Sequence, residues 1–194
     1  MPQEEKLEQC KGKARVNIEA PAGAGKTYLA LHEMLRIITA DSQSTVLFIT
    51  RGEALCTHVA KWLFLRLRKI HSDEYAEELL KERFQVLYEC AESSGKKSFG
   101  GFPRLFALND GRVTFTLKES PKKRRLSFVK RYWRADDRHS FVVVDEAHHL
   151  YEMGVLEEIV DTYSSKDDDR VMLLSDVSQS FVEEMTAKFK AEVR

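Results

Sequence analysis

The chain has few of the residues that build disulfide frameworks, metal clusters or membrane spans. Its 194 residues include only three cysteines, Cys10, Cys56 and Cys90, and no two of them are close in sequence. This spacing excludes a C-x-x-C metal or redox pair and argues against a disulfide framework. No apolar run approaches the roughly 18 residues of a membrane helix. We therefore expect an intracellular protein, in the cytoplasm or the nucleus, that contacts no membrane.

An excess of charge of one sign is also missing. The 31 Lys and Arg residues balance the 31 Asp and Glu residues, so the formal net charge is zero. Overall charge therefore implies no partner, and any contact with nucleic acid must come from a local patch. Hydrophobic residues make up 43% and charged residues 32% of the chain, which is typical of a globular protein. We expect residues 1–194 to form a single domain with an insertion at about 93–134.

Short apolar runs alternate with stretches of helical periodicity along most of the chain. Strands are predicted at residues 14–19, 46–49, 84–88, 113–117, 141–144 and 171–174. Helices are predicted at about 26–38, 55–70, 73–83, 122–134, 153–163 and 181–189. The predicted fold is α/β with three layers, a parallel sheet and helices on both of its faces. The insertion breaks the alternation, with a loop predicted at 93–101 and a hairpin turn at 109–111.

Residues 20–27 have the sequence A-P-A-G-A-G-K-T, which matches the phosphate-binding loop G-x-x-x-x-G-K-[ST] at all but its first position. Such a loop surrounds a polyphosphate with backbone N–H groups and the positive end of the following helix. Lys26 is expected to reach the β- and γ-phosphates, and Thr27 to bind Mg²⁺. A chance Gly/Ala turn is the alternative, but the predicted strand before the loop and helix after it match the context of the motif. The predicted nucleotide-binding residues are Pro21, Ala22, Gly23, Ala24, Gly25, Lys26, Thr27 and Tyr28.

Residues 141–146 have the sequence F-V-V-V-D-E, in which a buried strand ends in two carboxylates. Asp145 is expected to hold Mg²⁺ through water, and Glu146 to polarise the attacking water. The alternative is that these carboxylates cap the next helix.

Residues 171–179 have the sequence V-M-L-L-S-D-V-S-Q. The amide of Gln179, shortly after a third buried strand, is expected to contact a γ-phosphate or the attacking water and so to report the nucleotide state. The alternative is a helix N-cap at Asp176 or Ser178, followed by an ordinary surface glutamine.

The order of these segments resembles motifs I, Ia, II and III of superfamily 1 helicases, the UvrD-like group. The matching segments are the phosphate loop, V-L-F-I-T-R-G-E-A-L, V-D-E-A-H and S-D-V-S-Q. The letters D-E-A-H also occur in superfamily 2 enzymes, but those carry S-A-T as motif III, and no such segment follows here. The resemblance covers about residues 14–50 and 141–182.

The resemblance implies a RecA-like P-loop ATPase, the first motor domain of a helicase, with ATP and Mg²⁺ as ligands. It implies that Glu146 is the catalytic base, that Gln179 senses the γ-phosphate, and that nucleic acid binds near Thr50 and Arg51. Motifs IV to VI are absent, so we expect a fragment of a longer protein that lacks its second motor domain. An arginine finger from that domain is worth roughly 10³–10⁵ in rate, so hydrolysis by this domain alone should be weak.

Residues 121–134, P-K-K-R-R-L-S-F-V-K-R-Y-W-R, contain seven basic residues, no acidic one and three aromatic residues. Such a patch binds phosphates and stacks bases of single-stranded DNA or RNA. The predicted nucleic-acid contacts are Arg51, Lys122, Lys123, Arg124 and Arg125. Residues 121–125 also resemble a nuclear import signal. The alternative is an amphipathic helix whose aromatic side chains face the core and whose cations are solvated.

Three functions remain open at this point. The first is the ATPase half of a nucleic-acid motor. The second is a switch or scaffold in which bound nucleotide orders the domain for a protein partner, without stimulation by DNA or RNA. The third is a nucleoside or small-molecule kinase, which leaves the S-D-V-S-Q segment unexplained. No guanine-reading N-K-x-D is present, which favours ATP over GTP.

Overall fold

Helices and strands alternate along the chain in the computed structural model, which describes residues 15–40, 43–91, 97–100, 105–109, 112–116, 138–152, 154, 156–164 and 170–176. In chain order, the elements in these ranges are β1 (Arg15–Glu19), α1 (Lys26–Ala40), β2 (Val46–Thr50), α2 (Glu53–Leu67), α3 (Asp73–Arg83), β3 (Phe84–Ala91), β4 (Lys97–Gly100), β5 (Leu105–Asn109), β6 (Arg112–Thr116), β7 (Phe141–Val144), α4 (Ala147–Glu152), α5 (Leu156–Tyr163) and β8 (Arg170–Ser175). None of the helices within these ranges is long and apolar enough to cross a membrane.

The main sheet has six strands in the order β1-β8-β7-β2-β3-β4. The first five are parallel, and β4 pairs antiparallel with β3 at the edge. Because parallel strands need crossover connections, the chain passes through a helix between most neighbouring strands. The carboxyl ends of β1, β8, β7 and β2 therefore meet at one edge of the sheet.

Helices cover the sheet on both faces, because alternate residues of each strand point to opposite sides. In β2, Val46 and Phe48 pack with α1, α2 and α3, whereas Leu47 and Ile49 pack with α4 and α5. All four of these side chains are fully buried. A strand with two buried faces is expected to be apolar throughout, and V-L-F-I is such a run. The predicted three-layer α/β fold is confirmed.

Two predicted helix boundaries are wrong. The helix predicted at 55–70 ends at Leu67, and Ile70, predicted to share the apolar face, is 69% exposed in the turn that follows. The helix predicted at 153–163 begins only at Leu156, after the separate short helix α4. Gly154 lies between them with φ of 69°, a left-handed conformation that ends a helix and that glycine adopts without strain.

The segment predicted as an insertion also contains more strand than expected. The loop predicted at 93–101 includes β4, which pairs with a β3 that extends to Ala91 rather than ending at residue 88. The antiparallel pair β5–β6, in which Asn109 faces Arg112, lies on either side of the predicted hairpin turn at 109–111, of which residues 110 and 111 lie outside the described residues. The helices predicted at 122–134 and 181–189 lie outside the described residues.

Candidate nucleotide-binding site

The phosphate loop follows β1 and leads directly into α1. Both of its glycines have positive φ, 77° at Gly23 and 85° at Gly25, which bend the backbone into a tight curl. The N–H of Ala24 donates to the carbonyl of Pro21 at 3.2 Å, and the N–H of Ala20 donates to Ser175 at the end of β8 at 3.3 Å. The loop is thus held against the neighbouring strand, with the N-terminus of a 15-residue helix behind it.

The Lys26 ammonium group contacts its own loop. Its Nζ donates to the carbonyl oxygens of Ala20 at 2.5 Å and Pro21 at 3.0 Å. These two acceptors are neutral, so a phosphate oxygen would be a stronger partner for the same cation. The side chain of Thr27 is half-buried beside it, at the start of α1. A curled loop, a helix N-terminus and an ammonium group on neutral acceptors fit a polyphosphate.

Gly23 provides a test of the loop as a phosphate cradle. A Cβ added there would meet no atom within 4 Å, so Gly23→Ala costs only the strain of a positive φ, roughly 1 kcal/mol. We expect this variant to remain folded but to bind ATP at least about tenfold more weakly, since the added methyl group fills space close to the phosphate. Isothermal titration calorimetry with Mg-ATP measures the affinity.

Gly154→Ala is the matched control for that variant. Gly154 also has a positive φ, 69°, and an added Cβ would again meet no atom within 4 Å. It therefore carries the same backbone strain but lies outside the loop. Equal losses of ATP affinity in the two variants would show that strain, rather than a filled cradle, causes the effect.

Asp145 follows β7 at the same edge of the sheet and is only 8% exposed. Its N–H donates to the carbonyl of Ile49 in β2 at 2.8 Å, which fixes its backbone between the two strands. Burial, with a smaller contribution from the negative charge of Glu146, raises the pKa of Asp145 to about 6, while the positive charge of Lys26 opposes the shift. A buried carboxylate with this pKa gains stability from a nearby cation, so its environment fits a divalent metal ion.

Glu146 is half-buried and adopts a left-handed backbone conformation, with φ of 53°. Within the part of the chain that the structure describes, it is the one residue other than glycine with a positive φ. Its carbonyl accepts the N–H of His149 at 2.9 Å, which fixes the turn into α4. Arg51, predicted to contact nucleic acid, lies beside it, with its Nη1 3.7 Å from Oε2 of Glu146.

The strand β8 lies between β1 and β7, so its carboxyl end comes to the same edge of the sheet. Ser175 and Asp176 are buried there, 4% and 7% exposed. The N–H of Asp176 donates to Nδ1 of His148 on α4 at 3.5 Å, a long hydrogen bond that connects the strand with the helix after Glu146. Gln179, predicted to sense the γ-phosphate, lies outside the described residues, and so do Lys122, Lys123, Arg124 and Arg125.

Two features near the loop were not predicted from the sequence. The hydroxyl Oγ of Ser175 is buried and has no hydrogen-bond partner within the described residues. Tyr28, predicted only as part of the loop, is 39% exposed and forms an edge contact with His32, with ring centroids 4.4 Å apart. Trp62 from α2 lies 5.2 Å from the His32 ring. No motif marks Trp62, because its contact with α1 depends on how the two helices pack.

The sequence matches the family model ResIII, described as "Type III restriction enzyme, res subunit", over residues 2–188. No curated protein matches it. Among solved structures, the large terminase ATPase domain of Thermus phage P74-26 is similar, with 13% identity and a TM-score of 0.38, over 87% of this chain and 62% of that chain. A variant of that domain has 13% identity and a TM-score of 0.41, over 90% and 64%. The chain thus spans less than two thirds of either terminase domain.

Proposed function

Because the chain belongs to the ResIII family, we propose that it is the ATP-hydrolysing domain of a helicase-like motor that acts on nucleic acid. The observation that supports this most directly is the meeting of three side chains at one sheet edge. Lys26 follows β1, and Asp145 and Glu146 follow β7, yet Lys26 is close enough for its charge to lower the pKa of Asp145. A cation for phosphate, a carboxylate for a metal ion and a carboxylate for water are the groups that ATP hydrolysis requires.

Each side chain has a separate part in the proposed reaction. The backbone N–H groups of the loop and the Lys26 ammonium group bind the β- and γ-phosphates of ATP. Thr27 and Asp145 would hold Mg²⁺, which neutralises phosphate charge when it is bound. Glu146 orients the attacking water and accepts its proton. The kinase alternative has no support from this family match, because the match is to a helicase-like family.

The finer resemblance to superfamily 1 belongs to this proposal as well. The family match supports a helicase-like P-loop ATPase of superfamily 2 type, so the superfamily 1 features rest on the S-D-V-S-Q segment alone. We propose that this segment senses the nucleotide through Gln179. The hydrogen bond between Asp176 and His148 supports a connection from this segment to the helix that follows Glu146.

The proposed nucleic-acid contacts are Arg51 at the carboxyl edge of β2 and the basic residues 122–125. Arg51 is 46% exposed, so phosphate can reach it. We further propose that the domain works with a second motor domain, since a helicase-like motor moves two such domains against each other. In that case an arginine from the second domain completes the ATP site.

ATP hydrolysis by the purified protein, with and without single-stranded DNA and RNA, tests the proposal. We expect Lys26→Ala to weaken Mg-ATP binding by about 10- to 100-fold, the worth of one charge-assisted hydrogen-bonding group. Lys61→Ala, which removes an exposed lysine from α2, is the matched control and should bind ATP normally.

Three outcomes separate the functions. Hydrolysis that depends on Lys26 and rises with nucleic acid supports the motor. Nucleotide binding that depends on Lys26, with negligible turnover and no response to nucleic acid, supports the switch or scaffold with a protein partner. Binding that is equal in the Lys26 and Lys61 variants overturns the nucleotide site itself.

A further inference from the structure

Arg51 and Glu146 form an ion pair within the proposed site. The Arg51 Nη1 lies 3.7 Å from Glu146 Oε2, and the side chains are 46% and 38% exposed. At this distance the contact is Coulombic rather than a tight hydrogen bond. A half-exposed pair of this kind is weak and is easily exchanged for another partner. The pair therefore restrains the proposed base only weakly.

The parallel register of the sheet places the two residues together. In the β2–β7 ladder, Val46 faces Phe141 and Ile49 faces Val144. Arg51 comes two residues after Ile49, and Glu146 comes two residues after Val144, so both follow the carboxyl ends of neighbouring strands. The contact therefore requires β2 to lie next to β7, together with the turn that follows β7.

The backbone of Glu146 is held in a left-handed conformation that a residue with a side chain adopts at a cost of about 1 kcal/mol or more. Two hydrogen bonds flank it, from Asp145 N–H to Ile49 and from His149 N–H to the Glu146 carbonyl. The main chain at this position is thus fixed, and the direction of the carboxylate depends on the side-chain torsions alone. A partner for the carboxylate then decides where it points.

We propose that Arg51 is a positioning residue that holds the Glu146 carboxylate away from the attacking water until a nucleic-acid phosphate takes the guanidinium group. This inference rests on the proposed function. Guanidinium groups bind phosphate with two parallel hydrogen bonds, a better geometry than the 3.7 Å ion pair with Glu146. Phosphate binding at Arg51 therefore releases the base, and hydrolysis becomes conditional on nucleic acid.

Arg51→Gln tests the restraint without nucleic acid. Removing a surface ion pair of this kind should release the Glu146 carboxylate from its restraint. We therefore expect kcat at saturating ATP to rise about two- to fivefold while KM for ATP stays unchanged. The kcat of Arg51→Lys should lie between those of the wild type and Arg51→Gln. Arg68→Gln is the matched control, since Arg68 and Asp73 form a 3.0 Å pair of similar exposure elsewhere, and its kcat should equal that of the wild type.

Salt gives a second reading that a structural defect would not produce. Salt screens exposed pairs, so raising the ionic strength should raise the kcat of the wild type without nucleic acid and leave that of Arg51→Gln unchanged. A kcat in Arg51→Gln equal to or below the wild-type value overturns the restraint. If Arg51 does restrain Glu146, single-stranded DNA or RNA should stimulate kcat less in Arg51→Gln than in the wild type. A wild type that neither nucleic acid stimulates would instead overturn the motor function and the phosphate exchange, while the basal kcat still tests the pair.

Discussion

Glu146→Gln is expected to lower kcat for ATP hydrolysis by about 10² to 10⁴-fold at saturating ATP. Glutamine has the size and shape of glutamate but cannot accept a proton from the attacking water. The substitution leaves Asp145, Lys26 and the phosphate loop intact, so the affinity for Mg-ATP should change by less than about threefold. Single-turnover hydrolysis and nucleotide titration on the same preparation measure the two quantities.

The matched control for this prediction is Glu152→Gln, which makes the same chemical change at an exposed residue at the end of α4. It should hydrolyse ATP at the wild-type rate. If Glu146→Gln loses ATP affinity and kcat together, the side chain serves to bind the nucleotide or its metal ion. If it keeps wild-type kcat, another group activates the water and the proposed role of Glu146 is wrong.

The sequence was most informative where the chemistry falls on consecutive residues. The phosphate loop needs glycines, a lysine and a hydroxyl within a few positions, and a strand that delivers carboxylates needs apolar residues directly before them. Residues 20–27 and 141–146 satisfy both requirements, and both segments lie at the carboxyl edge of the sheet. Both motifs can be recognised without the tertiary structure, because each motif and its supporting strand are contiguous in sequence.

Contacts between strands could not be predicted in the same way. Arg51 and Glu146 are 95 positions apart, and their pairing requires β2 to lie next to β7, an order that no local pattern encodes. The hydrogen bond from Asp176 to His148 likewise requires β8 to lie beside β7. The predicted nucleic-acid role of Arg51 came from a motif resemblance, whereas its contact with the proposed base became visible only in the folded sheet.

Helix boundaries failed for a different physical reason. Apolar periodicity continues to Ile70 in the sequence, but the helix ends at Leu67. Beyond the end of a helix, helical spacing no longer places an apolar residue on the buried face. Around Gly154, periodicity could not distinguish one long helix from two short ones. A single left-handed glycine decides between them, and its φ depends on the turn that the surrounding elements require.

Asp145→Asn is expected to stabilise the nucleotide-free protein at neutral pH while abolishing its metal-dependent activity. In the folded protein the pKa of Asp145 is about 6, above its ordinary value of 3.8, mainly because burial disfavours the charged carboxylate. The folded state therefore binds a proton more tightly than the unfolded state does. The cost of ionising Asp145 appears as pH rises from about 4 to about 6 and is fully present above that range.

The asparagine variant escapes this cost, so its free energy of unfolding should exceed that of the wild type by roughly 2–3 kcal/mol at pH 7.5 and by almost nothing below pH 4. Urea unfolding at the two pH values measures the difference, with Asp161→Asn, an exposed change on α5, as the control. Mg-ATP at a thousand times its Kd should reverse the order, because it adds about 4.1 kcal/mol to a protein that binds it. An equal gain in the free energy of unfolding at both pH values would mean that the aspartate and the asparagine differ in packing or hydrogen bonding. The charge of the buried carboxylate would then not be the cause. If the wild type does not become the more stable protein in Mg-ATP, Asp145 does not hold the metal ion.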